Sequence, residues 1–410
     1  MDVPASKSIK LVGRWAMGSM YFCEHYSSSD LVPSDAVVQW ADNGVMLCLR
    51  PQDSALTSEA VGWAQAGKLV STTSCGIWHI TPETYVKVVS WQEGAQLEGR
   101  TIKFINDKHP EIPTTRIIYE WIDPAWTRTF MIMKRACGVL MDEALVYMTD
   151  SQVQDVADQV AAHVKTLTQH TSNMLETLDQ HGVQDTRLIG WPPLKDVPHS
   201  ESWKRFQWPR FSQEGFKTHL KESSNMTLIP DSGSEFVLYN SDLTTHNIFV
   251  YPPLSGEKGR LAEIIDWEFT AYWPRYWVAT CPNPDESFIA DYGSKLDVRW
   301  PLFLRKSLEQ LGFESVGTWW DSYRFISDEL RDERAGKEYD DWVMLRKEEN
   351  IRLNNLRNQS EFSSWFRFAT VREVRISDFL IQDLLCSISA MRIVINNNNS
   401  TLIDFAIFND

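Results

Sequence analysis

Paired cysteines are the first thing this chain lacks. Its six cysteines, Cys23, Cys48, Cys75, Cys137, Cys281 and Cys386, form no Cys-x-x-Cys unit, which argues against a zinc site and a disulfide scaffold. Basic charge is scarce too: 40 Lys and Arg stand against 55 Asp and Glu, a formal net charge of −15. Nucleic-acid binders carry basic patches, so no nucleic-acid partner is expected. No apolar run reaches the roughly 18 residues of a membrane-spanning helix, so no membrane partner is expected either. Met1-Asp2-Val3-Pro4-Ala5 is not a charged segment leading into an apolar one. A secretory leader is therefore not expected, and a reducing cytoplasm is the expected compartment. A glycine-rich phosphate loop of the protein-kinase type is missing as well, which argues against a protein kinase.

What is present is material for a large core. The chain has 410 residues, 43% of them hydrophobic, with 18 Trp. That composition excludes general disorder. The length fits two or three domain-sized units, or one bilobal enzyme with additions. The acidic balance would suit a cationic substrate, although acidic soluble proteins are common.

Two short segments carry the chemistry. Val237-Leu238-Tyr239 is an apolar, strand-like run that leads to Asp242, with Asn247 five positions later. Ala262-Glu263-Ile264-Ile265 is a second apolar run, ending at Asp266-Trp267-Glu268. Phosphoryl transfer from ATP asks a protein mainly for positioning and charge neutralisation. Asp242 is placed to accept or orient the proton of an acceptor hydroxyl. Asn247 and Asp266 offer one neutral and one charged oxygen to Mg2+, which takes few protein ligands beside phosphate oxygens and water. The kinase catalytic loop spaces its Asp and Asn in the same way, with a strand-borne Asp following. Residues 247–251 and 261–265 flank a turn-rich Pro252-Pro253-Leu254-Ser255-Gly256 stretch and read as a hairpin. Such a hairpin brings Asn247 and Asp266 to the same end of two paired strands.

These residues resemble the aminoglycoside phosphotransferase and choline kinase-like family. Its usual loop reads His-Gly-Asp-Leu-His-Pro-Gly-Asn, followed by Ile-Asp-Trp-Glu. Asn240-Ser241-Asp242-Leu243-Thr244-Thr245-His246-Asn247 and Ile265-Asp266-Trp267-Glu268 align with that pattern without gaps. Phe269-Thr270-Ala271-Tyr272-Trp273-Pro274-Arg275-Tyr276-Trp277 is similar to the fungal branch. The resemblance covers roughly residues 65 to 330 and is most specific in the C-terminal half. It implies an α+β, bilobal protein-kinase-like fold, with a small β-rich N-lobe, a larger mainly helical C-lobe, and N- and C-terminal additions. Two departures stand out: Asn240-Ser241 replaces His-Gly, and Thr244-Thr245-His246 replaces His-Pro-Gly. The family histidine is thought to brace the loop, and an asparagine keeps a donor and an acceptor for that task.

The nucleotide lobe is read upstream. Lys87 lies in the alternating strand Thr84-Tyr85-Val86-Lys87-Val88-Val89, where a kinase lysine reaches the α- and β-phosphates; an edge-strand lysine that discourages aggregation is the plainer reading. The resemblance implies Glu98 as its carboxylate partner on the following helix, with Glu93 as the alternative. Ile112-Pro113-Thr114-Thr115 resembles the family segment entering a strand. Phe130 to Gly138 resembles the strand and hinge that receive adenine, which implies Met133 and Arg135 at the nucleotide. Ser71 to Gly76 lies where the family has a small-residue phosphate turn.

The expected division is an extension over 1–64, an N-lobe over 65–137, a C-lobe over 138–330 and a helical, low-complexity tail over 331–410. Residues 35–40 and 44–49 read as strands, and 57–64 as a helix. The valine stripe Val153, Val156, Val160 and Val164, continued by Leu167, predicts a helix from Ser151 to Thr177 with Asp150 or Ser151 as its cap. His163 and His170 would lie on it, packed or solvated rather than metal-bound. Trp191 to Trp208 is rich in Pro, Trp and charge, and could hold a flat or cationic acceptor or pin an irregular loop. Arg331 to Arg357 reads as helical, and Asn396 to Asn399 as loop.

The expected activity is an ATP- and Mg2+-dependent phosphotransferase with a small-molecule hydroxyl acceptor, the fungal resemblance suggesting a metabolite of a secondary pathway. A kinase-fold enzyme recruited to cyclisation or elimination is one alternative. A non-catalytic, pseudokinase-like binding protein is another. The sequence carries no signal of oligomeric state or acceptor identity.

Overall fold

A computed structural model describes residues 11–52, 68–71, 75–91, 93–185, 187–189, 208–252, 256–283, 288, 290–291, 296–324 and 326–327. The expected helix over 57–64, most of the 191–208 aromatic segment and the tail from 331 lie outside them.

The chain opens with four strands: β1 (Leu11–Met17), β2 (Tyr21–Tyr26), β3 (Val38–Asp42) and β4 (Val45–Pro51). They form an antiparallel sheet in the order β1-β2-β4-β3. A second sheet follows, built from β5 (Lys68–Ser71), β6 (Cys75–Thr81), β7 (Thr84–Ser90), β8 (Ile117–Asp123) and β9 (Arg128–Lys134). Its order is β5-β6-β7-β9-β8, with every neighbour antiparallel. Helix α1 (Glu98–Lys108) connects β7 to β8.

The two sheets share one core. Met17, Cys23, Trp40, Leu47 and Leu49 from the first pack with Ile80, Val86, Trp121, Phe130 and Ile132 from the second. Trp121 and Phe130 stack at 4.9 Å, and Ser19 Oγ donates to Asp123 Oδ1 at 2.8 Å. The N-terminal strands thus cover one face of the second sheet and leave Lys87 to project elsewhere.

Gly138, at φ +85°, turns the chain out of the small lobe. A side chain there would collide with the Val250 carbonyl, so glycine is required twice over. Beyond it come β10 (Val139–Leu140), α2 (Met141–Ala144) and α3 (Asp150–Leu167). The stripe Val153, Val156, Val160, Val164 and Leu167 is buried throughout. The helix is shorter than its expected span, and its cap is Thr149 instead of Asp150 or Ser151. Thr149 Oγ accepts the Gln152 N–H while the Gln152 side chain takes the Thr149 N–H, a reciprocal capping box. The helix stops at Leu167 because the chain turns and Thr171 enters β11 (Thr171–Ser172), paired with Val237. His170 is consequently off the helix. Its Nε2 lies 2.6 Å from His109 Nε2, and its ring meets Phe104 edge-on.

The larger lobe continues with β12 (Met174–Leu175), β13 (Phe211–Ser212), α4 (Gln213–Ser224), β14 (Phe236–Asn240), β15 (Ile248–Tyr251), β16 (Arg260–Ile264), β17 (Thr270–Trp273), α5 (Trp277–Thr280) and α6 (Arg299–Gln310). Its core joins the α3 stripe to Leu238, Tyr239, Ile248, Trp267, Trp273, Trp277 and Trp300. A small β-rich lobe, a connecting turn and a larger helix-bearing lobe make the fold bilobal and protein-kinase-like.

Candidate active site

The expected hairpin is β15 against β16, with Ile248 opposite Ile264. The Ile265 N–H donates to the Asn247 carbonyl at 2.9 Å, which fixes the residue before Asp266 against Asn247. Asp266 itself takes φ +58°, a left-handed conformation uncommon outside glycine. Surrounding bonds hold it there. Asn240 Nδ2 donates to the Asp266 carbonyl at 3.2 Å, and the Trp267 N–H donates to Glu98 Oε1 at 3.0 Å.

Lys87 lies on β7 inside the small-lobe sheet and is almost wholly buried. Its Nζ donates to Glu98 Oε2 at 2.8 Å and to Asp266 Oδ1 at 2.9 Å, with Glu268 Oε2 at 3.7 Å. The edge-strand reading of Lys87 is excluded, because β7 is flanked on both sides by β6 and β9. Burial works against the ammonium charge, but Glu98, Asp266 and Glu268 together raise its proton affinity well above the ordinary range. The charged form of Lys87 is thus favoured by its three carboxyl neighbours.

Three carboxylates face that single lysine. Glu98, Asp266 and Glu268 each offer an oxygen within 4.8 Å of the others. Burial pushes Glu268 up to about 8 despite Lys87 beside it. Such a set of hard oxygen donors around one lysine suits a divalent cation, whose charge would favour the ionised form of Glu268. Glu268 is an addition to the residues read from sequence; it was visible only as the end of the Asp-Trp-Glu segment.

The catalytic-loop candidates form the adjoining wall. Asn247 Nδ2 donates to the Asp242 carbonyl at 2.8 Å and to Asp242 Oδ2 at 2.7 Å. Both amide hydrogens are thus spent on Asp242, and the Asn247 amide oxygen is left outside that pair. The Asp242 N–H donates to Asn240 Oδ1 at 3.0 Å. Asn240 therefore uses its acceptor on Asp242 and its donor on the Asp266 carbonyl, tying the two acidic residues together. Burial raises the Asp242 proton affinity, Arg187 opposes this, and the Asp266 charge adds to the rise. From α6, the indole Nε1 of Trp300 donates to the Leu243 carbonyl at 2.8 Å and pins the loop from below.

The hinge residues lie at the end of β9. Met133 sits between Tyr85 and Ile117 in the sheet, half-buried. Arg135 is exposed, and its N–H donates to the Glu83 carbonyl at 2.9 Å. The alternative partner Glu93 precedes α1, whereas Glu98 is its first residue. Of the small-residue turn, residues 72–74 lie outside the described residues. A cleft opens beside Lys87 and Glu98, bordered also by Glu120, Glu268, Trp91 and Trp208. Glu120, which accepts the Gly99 N–H at 3.0 Å, is pushed up to about 7 by burial. No sequence motif pointed to it. Among the described residues no helix is long and apolar enough to cross a membrane.

No family model and no curated protein sequence matches the chain. Among solved structures it is similar to the GDP and kanamycin complex of APH(2")-IIia, at 12% identity over 74% of this chain and 96% of that one, with a TM-score of 0.43. It is also similar to a thermostable mutant of aminoglycoside phosphotransferase APH(4)-Ia in the apo form, at 15% identity over 69% and 92%, TM-score 0.40. A third is aminoglycoside-3'-phosphotransferase of type VIII, at 15% identity over 64% and 93%, TM-score 0.38. These neighbours are aminoglycoside phosphotransferases at low identity. The fold described above stands on this chain's own strand order and contacts.

Proposed function

We propose that this chain is an ATP- and magnesium-dependent phosphotransferase acting on a hydroxyl of a small-molecule metabolite. The observation that carries the reading is the Lys87–Glu98–Asp266 cluster, tied through Asn240 to an Asp242–Asn247 pair. Apart from the linking Asn240, these positions match the division of labour of phosphoryl transfer: a lysine for phosphates, oxygens for a cation, and a base for the acceptor.

Lys87, aligned by Glu98, would bind the α- and β-phosphates of ATP. Asp266 and the Asn247 amide oxygen would hold magnesium, with Glu268 near enough to join them. Bound magnesium supplies charge neutralisation to the phosphate oxygens. Asp242 would orient the acceptor hydroxyl and take its proton, its carboxylate steadied by the Asn247 amide. The stretch from Met133 to Arg135 would border adenine through groups the sheet does not use, since the Arg135 N–H is already given to Glu83. On this reading residues 65–137 serve the nucleotide and 138–330 the metal, the base and the acceptor. The fungal resemblance favours a metabolite of a secondary pathway, and the cysteine spacing, with no Cys-x-x-Cys unit, a reducing, cytoplasmic setting.

The test is to incubate the protein with ATP, magnesium and metabolite extracts, and to search by mass spectrometry for the added phosphoryl group, about 80 daltons. A phosphorylated product formed by the wild type is expected. Asp242→Ala should lower kcat by about 10²–10⁴, the range of a general acid–base group. A variant that turns over like the wild type would remove Asp242 from the reaction.

A further inference from the structure

Arg187 belongs to none of the sequence motifs, yet it reaches the centre of the catalytic loop. Asp185, 1% exposed, prepares it. Asp185 Oδ1 accepts the N–H groups of Arg187 and Leu188 at 2.9 and 2.7 Å, and Oδ2 lies 3.4 Å from the guanidinium. The turn so formed aims Nη2 at Ser241, where it donates to the carbonyl at 2.7 Å and to Oγ at 3.1 Å. The Cys281 thiol donates to the same carbonyl at 3.1 Å.

The carbonyl of Ser241 and the N–H of Asp242 belong to one peptide plane. Arg187 and Cys281 hold its oxygen end, and Asn240 Oδ1 holds its nitrogen end. Rotation of that plane would swing the Asp242 side chain away from Asn247. Ser241 is wholly buried, so its carbonyl has no water to replace a lost donor. Charge-assisted bonds from a guanidinium are about twice as strong as neutral ones.

We propose that Arg187 is a positioning residue for the reaction, clamping the peptide plane that carries Asp242 from 54 residues upstream. A serine carbonyl reached from outside the loop thereby takes over bracing that a loop-borne side chain could supply. Because this rests on the phosphotransfer reading, the test has one arm that needs no turnover.

Arg187→Ala should lower kcat about 10²-fold, the scale of a misplaced catalytic group, with the KM for ATP little changed and the Tm lowered, since buried Ser241 and Asp185 each lose a donor. Millimolar guanidinium should restore part of the lost rate in Arg187→Ala and none in Asp242→Ala. Arg187→Lys should recover only a fraction, because an ammonium cannot grip carbonyl and hydroxyl with the same fork. An unchanged kcat in Arg187→Ala, or a loss accompanied by an equal rise in the KM for ATP, would overturn the proposal. If Arg187→Ala does not fold, Arg187→Gln, which loses the charge and the guanidinium fork, carries the same comparison. The independent arm is amide hydrogen exchange over residues 240–247. Faster exchange is expected in Arg187→Gln and reversal by guanidinium; equal exchange in variant and wild type would refute the clamp even if no acceptor were ever found. An inactive wild type with the exchange result intact would refute the phosphotransfer reading alone.

Discussion

The two walls of the site are held by opposite kinds of force. On the lysine wall, Lys87, Glu98, Asp266 and Glu268 come from β7, α1 and the segment after β16, and they are joined by ion pairs. Three carboxyl groups surround one lysine there, so the wall offers several hard oxygens to a cation. On the loop wall, Asn240, Ser241, Asp242 and Asn247 are neighbours in sequence, joined by short hydrogen bonds that leave little to add. The difference teaches which groups await a ligand and which are already arranged. On the proposed reading, the ion-paired cluster would adjust to phosphates and metal, whereas the hydrogen-bonded loop would hold Asp242 in place beforehand.

The comparison can be broken first on the lysine wall. Lys87→Met removes the only cation among three carboxylates. Steady-state kinetics should register a kcat/KM loss for ATP of about 10²–10³, the scale of losing one charge-stabilising donor. A smaller effect is expected on the loop wall. Asn240→Ala frees the nitrogen end of the Ser241–Asp242 plane and should lower kcat roughly tenfold, a loss of about 1.4 kcal/mol in barrier terms. Its KM for ATP should stay near the wild-type value. If Asn240→Ala raised the KM for ATP as strongly as Lys87→Met, the two walls would not be separable.

The smallest effect lies outside both walls. His25 in β2 packs against Trp15 at 4.2 Å, and burial lowers its pKa from the ordinary histidine value near 6.5 to about 4, with Asp42 partly opposing. The unfolded chain binds a proton there below about 6.5 and the folded chain does not until about 4. Stability contributed by the neutral ring is therefore present above pH 6.5 and lost as pH falls toward 4. Thermal melts should fall less steeply over that window in His25→Gln, and the same slope in variant and wild type would exclude His25 as the source.

Legibility in the sequence followed distance along the chain. Asp242 and Asn247 share one loop, and the β15–β16 register could be read from two apolar runs around a turn, so Asp266 was visible beside them. Glu98 was visible only through the family resemblance, since nothing local links it to Lys87. Arg187 left no trace, because its reach to Ser241, 54 residues away, depends on a turn stabilised by Asp185. The first two strands were hidden for a different reason. Residues 11–17 contain Gly13 and Arg14, and residues 21–26 contain Glu24 and His25, which blurs the alternation expected of strands. Arg14 and Glu24 are cross-strand partners, bonded at 2.7 Å, and each answers the other's buried charge. The overlong span read for α3 arose because the stripe ends at Leu167 but helix-compatible residues continue past it.

The central claim meets its most direct test in nucleotide binding followed by thermal shift, with and without magnesium. Wild-type protein at about 100 times Kd of ATP should gain roughly 2.7 kcal/mol, a gain that chelation of the metal or Asp266→Ala removes. A wild-type protein whose melting ignores ATP, or answers it equally with magnesium withheld and with Asp266 replaced, would contradict the account.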